Sequence, residues 1–173
     1  GKPVPLGRGS VVGVTISGLT RGAPGAPGEI KGYFDAGKTG TVIKNTDLGV
    51  FGLYREAPIG KYSNPIPAAG RNEIKEGAAV MLCTLDSGEI GEYSIEIHSI
   101  DRTASGGRCF SVRVTDRALL ERTGGIIQGM SGSPIIQNGR LVGAVTHVLI
   151  NDPASGYGIF IENMYSAMPE ILK

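Results

Sequence analysis

The sequence predicts an all-β protein of short strands, closed by a short C-terminal helix, and three observations carry that reading. Alternating or apolar runs recur from end to end, at residues 10–17, 29–34, 40–44, 50–54, 78–85, 89–101, 108–115, 134–137, 140–150 and 157–161. The segments between them carry turn chemistry. Asp86-Ser87-Gly88 and Ser105-Gly106-Gly107 are turns, and the pair Asn138-Gly139 tolerates the positive φ of a two-residue hairpin. The third observation is composition: 28 glycines and 10 prolines in 173 residues, without tryptophan, favour short strands over long helices.

Along the chain, residues 22–28 read Gly-Ala-Pro-Gly-Ala-Pro-Gly, a collagen-like period too short for a triple helix, and are expected as an exposed loop. Residues 57–70 hold Pro58, Pro65 and Pro67 and are expected to cross between two sheets or barrels. The length suits a single folding unit of two closely packed barrels, about 1–65 and 66–173. Two short helices are expected. Asp116 is placed to cap residues 117–122, ahead of Gly124-Gly125, and residues 162–172 show helical spacing of Met164, Met168 and Leu172.

A net charge of +1 with both signs interspersed makes nucleic acid an unexpected partner. No apolar run approaches the roughly 18 residues of a spanning helix, and no export signal opens the chain, so an exported protein would carry its signal upstream. Cys83 and Cys109 either face each other as one disulfide or stand as two buried thiols. Their spacing offers no metal motif, and no metal or organic cofactor is implied.

The sharpest local feature is Gly129-Met130-Ser131-Gly132-Ser133-Pro134. Flanking glycines let the backbone bend sharply, keep a serine hydroxyl accessible, and leave the N–H groups of Gly129 and Ser131 free to receive an oxyanion. A bare Gly-x-Ser-Gly is more often a plain turn. Here an α/β-hydrolase elbow is excluded because Pro134 and the Asn138-Gly139 hairpin call for two strands where that fold needs a helix.

This motif resembles that of the chymotrypsin-like superfamily, with Met130 and Ser133 as substitutions, which implies a double β-barrel whose first barrel is incomplete if its opening strand lies upstream. The resemblance places Thr146 on the strand that pairs with substrate, with Gly156-Tyr157-Gly158 on the opposite wall of the specificity pocket. The block from Thr123 to Gly139, with Gly143 to Val148 and Asn151 to Gly158, more closely resembles the SpoIVB-type sporulation serine peptidases. That resemblance implies Ser131 as nucleophile and Asp116, fifteen residues earlier, in the catalytic set; a helix cap explains Asp116 almost as well. The family's catalytic histidine falls upstream of Gly1. His147, beside Thr146, would line the substrate site or fill space, and His98 reads as a strand histidine.

The chain as given is therefore expected to lack its base and to be inactive alone. Further implications are export to the space between forespore and mother cell, self-cleavage, and cleavage of the regulatory subunit of an intramembrane metalloprotease complex. Open barrel edges would invite a homodimer. Two other readings stand beside the enzyme: a non-catalytic module that binds peptide by strand addition beside Thr146, and a purely structural β domain.

Overall fold

The computed structural model describes residues 9–56, 64–86 and 88–172. Three antiparallel strands come first, β1 (Gly9–Thr20), β2 (Glu29–Thr46) and β3 (Gly49–Tyr54), in the order β1-β2-β3. Six more, β4 (Gly77–Asp86), β5 (Glu89–His98), β6 (Phe110–Val114), β7 (Pro134–Gln137), β8 (Arg140–Leu149) and β9 (Asp152–Phe160), close into a barrel in the order β4-β5-β6-β9-β8-β7. Helix α1 (Arg117–Thr123) links β6 to β7, and α2 (Ile161–Ala167) follows β9. Among the described residues no helix is long and apolar enough to cross a membrane.

Where the first barrel was expected, the described residues form an open three-stranded sheet. The runs at 29–34 and 40–44 join as the single strand β2, because the chain stays extended between them while its register against β1 slips from Val14↔Phe34 to Val12↔Lys38. Such a bulge absorbs extra residues without ending the strand. The crossing at 57–70 lies partly outside the described residues. Its visible end runs beside β8, with Ala69 N–H donating to the Leu141 carbonyl and Leu141 N–H to that of Pro67.

The barrel core follows the two-residue period of its strands: Ile95 and Ile97 of β5, and Phe110, Val112 and Val114 of β6, are buried. The rings of Phe110 and Phe160 meet at 5.4 Å. Asn138 and Gly139 have φ of 52° and 73°, the signs a two-residue type I′ hairpin requires between β7 and β8. Cys83 and Cys109 are free, buried thiols. They do not pair: Cys83 lies on β4 and Cys109 immediately precedes β6, with β5 between those strands, and burial raises the pKa of both.

The C-terminal helix is shorter than its apolar spacing suggests. Met168 precedes Pro169 and takes the extended conformation (ψ 132°) that a following proline favours, so α2 stops at Ala167 and only a turn of 3-10 helix, Glu170–Leu172, follows. What α2 does is brace a loop. Asn163, buried, donates from Nδ2 to the carbonyls of Ala104 (3.0 Å) and Gly106 (3.3 Å), while its Oδ1 accepts from Arg71 Nη2 at 2.9 Å. Arg71 also bonds Glu162 and lies over the Phe160 ring. Asn163→Ala would leave those loop carbonyls only the weak Cys109 thiol donor and would strand the Arg71 contact. A loss of about 1–3 kcal/mol is expected in chemical denaturation.

Candidate active site

Two consecutive tight turns present the serine. Met130 N–H donates to the Ile127 carbonyl (3.1 Å) and Ser133 N–H to the Met130 carbonyl (3.0 Å). Each turn has glycine at its third position, Gly129 with φ 101° and Gly132 with φ 92°, the sign a type II turn demands there. Met130, the shared corner, is fully buried, and its Sδ accepts the Ile127 N–H at 3.4 Å. Ser131 and Gly129 on either side of it are exposed, and neither of their N–H groups meets an acceptor among the described residues.

The first of these turns is held by the three-stranded sheet. Gln128 N–H donates to the Gly28 carbonyl and Ile30 N–H donates to the Gln128 carbonyl, both at 2.8 Å. In a trans peptide the carbonyl and the following N–H point in opposite directions. Holding the Gln128 carbonyl toward β2 therefore turns the Gly129 N–H away from it. The 22–28 loop that leads into β2 has an exposed tip, as its composition suggests, but its two ends are buried. Gly22 N–H bonds the Thr123 carbonyl, and Ala23 and Ala26 exchange hydrogen bonds across Pro24-Gly25. A Cβ on Gly28 would lie 2.4 Å from the Thr20 carbonyl oxygen and 2.7 Å from Ile127 Cγ2, so only glycine fits this neck.

The Ser131 hydroxyl donates to the Thr146 carbonyl at 3.1 Å. Thr146 is itself fixed, its Oγ1 donating to the Gly107 carbonyl (2.6 Å) and lying 3.1 Å from that of Tyr157. Ser131, Thr146 and His147 line a cleft of ≈ 810 Å³ between the barrel and the tip of the β2–β3 hairpin, which contributes Asp47 and Leu48. A second hollow of ≈ 460 Å³ is also lined by Ser131, together with Cys83 and Thr84. Among the described residues, no group of three or more His, Cys, Asp or Glu side chains gathers as a metal site would require.

Other expected site residues fall elsewhere. Asp116 caps α1: its Oδ1 accepts from Leu119 N–H at 2.9 Å and its Oδ2 from Ser94 N–H at 3.4 Å, and it lines neither hollow at Ser131. Gly156 and Gly158, expected on the opposite pocket wall, line neither of these two hollows. Strand pairing and packing fill the space beside them: a Cβ on Gly158 would meet the Phe110 ring at 2.3 Å, and one on Gly156 the His147 carbonyl at 2.4 Å and Ile126 Cδ1 at 2.8 Å. His98 sits beside Glu96 on β5. His147 is a cleft wall. Its Nδ1 is buried without a hydrogen bond among the described residues, and burial, aided by the charge of Arg108, holds its pKa below the ordinary histidine value.

Asp47, which lines the cleft, is a residue the sequence reading did not single out. It occupies a two-residue turn, Thr46-Asp47-Leu48-Gly49, in which the Thr46 hydroxyl accepts from Leu48 N–H and donates to the Gly49 carbonyl. The only sequence signal was a Thr-Asp-Leu-Gly turn between two strand-like runs.

Two substitutions separate support from site. Asp116→Ala removes a cap and is expected to cost about 0.5–2 kcal/mol in thermal or chemical unfolding. Gly28→Ala forces β2 off the Gln128 peptide and is expected to lower the reactivity of Ser131 toward a fluorophosphonate by more than its loss of stability explains.

Comparison with known proteins agrees with this architecture. A family model described as SpoIVB peptidase S55 matches residues 1–165. Among solved structures the chain is similar to the Rv3671c protease of M. tuberculosis in its active form, with 18% sequence identity and a TM-score of 0.54. That match covers 86% of this chain and 66% of the other, so this chain spans less than two thirds of that protein's length, and the likeness is one of fold. No curated protein matches. On the family match, which spans nearly all of its length, the chain belongs to the SpoIVB peptidase family.

Proposed function

We propose that the chain is the greater part of a serine endopeptidase that cleaves peptide bonds through an acyl-enzyme on Ser131. One observation carries the reading: Ser131 is exposed on a glycine-flanked turn, and the backbone N–H groups of Gly129 and Ser131 meet no acceptor among the described residues. Orphan donors are costly in a folded protein unless a ligand or water takes them up. Beside a nucleophile they suit the oxyanion of a tetrahedral intermediate.

In this mechanism a base takes the Ser131 proton as Oγ bonds to the substrate carbonyl carbon, and the Gly129 and Ser131 amides receive the oxygen as its π bond opens. The carbonyl re-forms, the C–N bond breaks, and the base returns the proton to the leaving amine. Water then repeats the sequence on the ester and releases the acid with free serine. The hydroxyl must first leave the Thr146 carbonyl, a bond worth about 0.5–1.5 kcal/mol net. Neither histidine of the chain bonds Ser131. The base is assigned to the segment preceding Gly1, and residues 1–173 alone are proposed to be inactive.

Substrate would bind by adding a strand to β8. Strand β7 pairs with β8 only as far as Ala144, so the same side of β8 is open beyond the serine loop. The His147 carbonyl faces β9, since it would meet a Cβ on Gly156, and by alternation the peptide groups of Thr146 and Val148 face the open side. Family membership supports the biological setting: export to the space between forespore and mother cell, self-cleavage, and cleavage of a regulator of an intramembrane protease in sporulation signalling. The unpaired edges of the first sheet would serve a homodimer if one forms.

The test is fluorophosphonate labelling of the protein carrying the chain that precedes Gly1. Labelling that disappears in Ser131→Ala is expected. No labelling of that longer protein, with peptide binding at β8 retained, would instead make it a binding module.

A further inference from the structure

We propose that the ≈ 460 Å³ hollow lined by Ser131 seats an aliphatic side chain from the leaving-group half of the substrate, within the first two residues after the scissile bond; this rests on the serine peptidase reading above. A peptide cut at a serine has chain on both sides of the reacting bond. Its acyl half is assigned to β8, in the cleft that holds Thr146 and His147. The leaving half needs a separate seat that begins at the same serine.

The two hollows meet that demand. Ser131 and Gly132 line both, and no other residue is shared, so a chain running from one to the other passes the serine. Gly129, whose N–H is one of the two donors assigned to the oxyanion, lines the second hollow and not the cleft. A carbonyl held there stands at the junction. The walls differ in chemistry. Asp47, Arg108 and His147 bring charged or titratable groups to the cleft, whereas the second hollow has the apolar lining Ile66, Leu82, Ile90, Pro134, Ile136 and Leu141 and, among the described residues, no charged side chain. A charged substrate residue would lose hydration there without gaining a partner, while an aliphatic one would move apolar surface out of water.

Unequal strand lengths open this space. Strand β4 runs ten residues and β7 four, and the two pair only at Val80↔Ile136 and Met81↔Ile135. Pro134, at the start of β7, has no N–H with which to extend the ladder. From Leu82 onward β4 therefore faces the serine loop, and no backbone hydrogen bond joins Leu82, Cys83 or Thr84 to it. Met81, Cys83 and Leu85 belong to the barrel core, so alternation turns Leu82 and Thr84 outward to the hollow. Leu82 is only 7% exposed although it is not part of that core. The hollow continues past it into another of ≈ 370 Å³ that shares Ile66, Leu82 and Ile136. Most of these walls belong to strands of a closed barrel, so the seat is formed before substrate arrives.

The experiment uses the protein carrying the chain that precedes Gly1, with fluorophosphonate labelling of Ser131 as the check of competence. Peptides randomised on both sides of the bond are digested, and the products are sequenced by mass spectrometry. Leu, Ile or Val is expected to be enriched at the first or second position after the cut, with kcat/KM about ten- to hundredfold above the Ala, Asp or Lys counterpart. Ile90 is 48% exposed, and Ile90→Asp places a negative charge on the hollow's wall. In that variant the ratio of kcat/KM for Leu over Lys peptides should fall about three- to tenfold. A general loss of folding or of serine reactivity lowers both rates together and leaves their ratio alone. Thr84→Asp, whose Cα pairs with that of Ile90, is measured alongside and gives the same result if Ile90→Asp does not fold.

A labelled parent without an aliphatic preference after the cut, or with one confined to residues before it, overturns the role of the hollow and leaves the peptidase reading standing. An unchanged Leu-to-Lys ratio in the folded variants also overturns it. A parent that is neither labelled nor able to cleave any peptide overturns both.

Discussion

The site depends on one peptide group. The link between Gln128 and Gly129 is gripped at the Gln128 N–H by the Gly28 carbonyl and at the Gln128 carbonyl by the Ile30 N–H. Because the peptide is planar, fixing that carbonyl also fixes the Gly129 N–H, one of the two donors beside Ser131. Rotating the group away would forfeit the bond to Ile30 and take Gly129 out of the positive φ that its lack of a side chain makes cheap. Both restraining groups belong to β2 and its approach, while the serine loop belongs to the barrel. Neither unit builds the site alone.

That dependence divides the work between the two sheets. The closed barrel supplies a surface that does not deform: Ser131 leans on Thr146, Thr146 on Gly107, and the loop carrying Gly107 on the buried amide of Asn163. The open sheet supplies the clamp on Gln128 at one end of β2 and the hairpin tip that lines the cleft at the other. Strand β2 runs 18 residues, from the Gln128 turn to the rim of the cleft. A single long strand keeps those two features at a fixed separation, which two shorter strands joined by a loop would not.

Much of the barrel and its serine loop was legible because the signals are local. A glycine that needs positive φ, an Asn-Gly hairpin and an alternating run each act within a few residues, and Gly129, Gly132, Asn138 and Ile95 stand where their neighbours require. What could not be read was which distant segments meet. The clamp on Gln128 depends on backbone groups almost a hundred residues away, so the Gly-Ala-Pro repeat looked like a free loop although its ends are buried. Asp116 and Asp47 are single aspartates beside turns. At Asp116 the pattern ahead of a helix fits a cap, and the cap is what formed; at Asp47 nothing local marks a residue that long-range packing brings to the cleft. Gly156 and Gly158 show the same limit, since small residues that suggest an open pocket wall also make room for Phe110 and Ile126.

Met130 shows what kind of force keeps the donors in place. The superfamily motif that this loop resembles has an aspartate there, and a buried aspartate would need a cation or several hydrogen bonds to offset its desolvation. The methionine needs neither. It contributes burial worth roughly 1.5–3 kcal/mol for a fully covered side chain, and its sulfur still takes up the Ile127 N–H. The turn is thus held by apolar packing below and by two backbone hydrogen bonds from β2 beside it, with no ion pair to form or break. It follows that the geometry around Ser131 is governed by whether the first sheet is docked on the barrel rather than by the ionisation of any group beneath the loop. Whatever displaces β2, a partner chain on its open edge or a preceding segment not yet folded onto it, would act first on the Gln128 carbonyl and through it on the Gly129 donor.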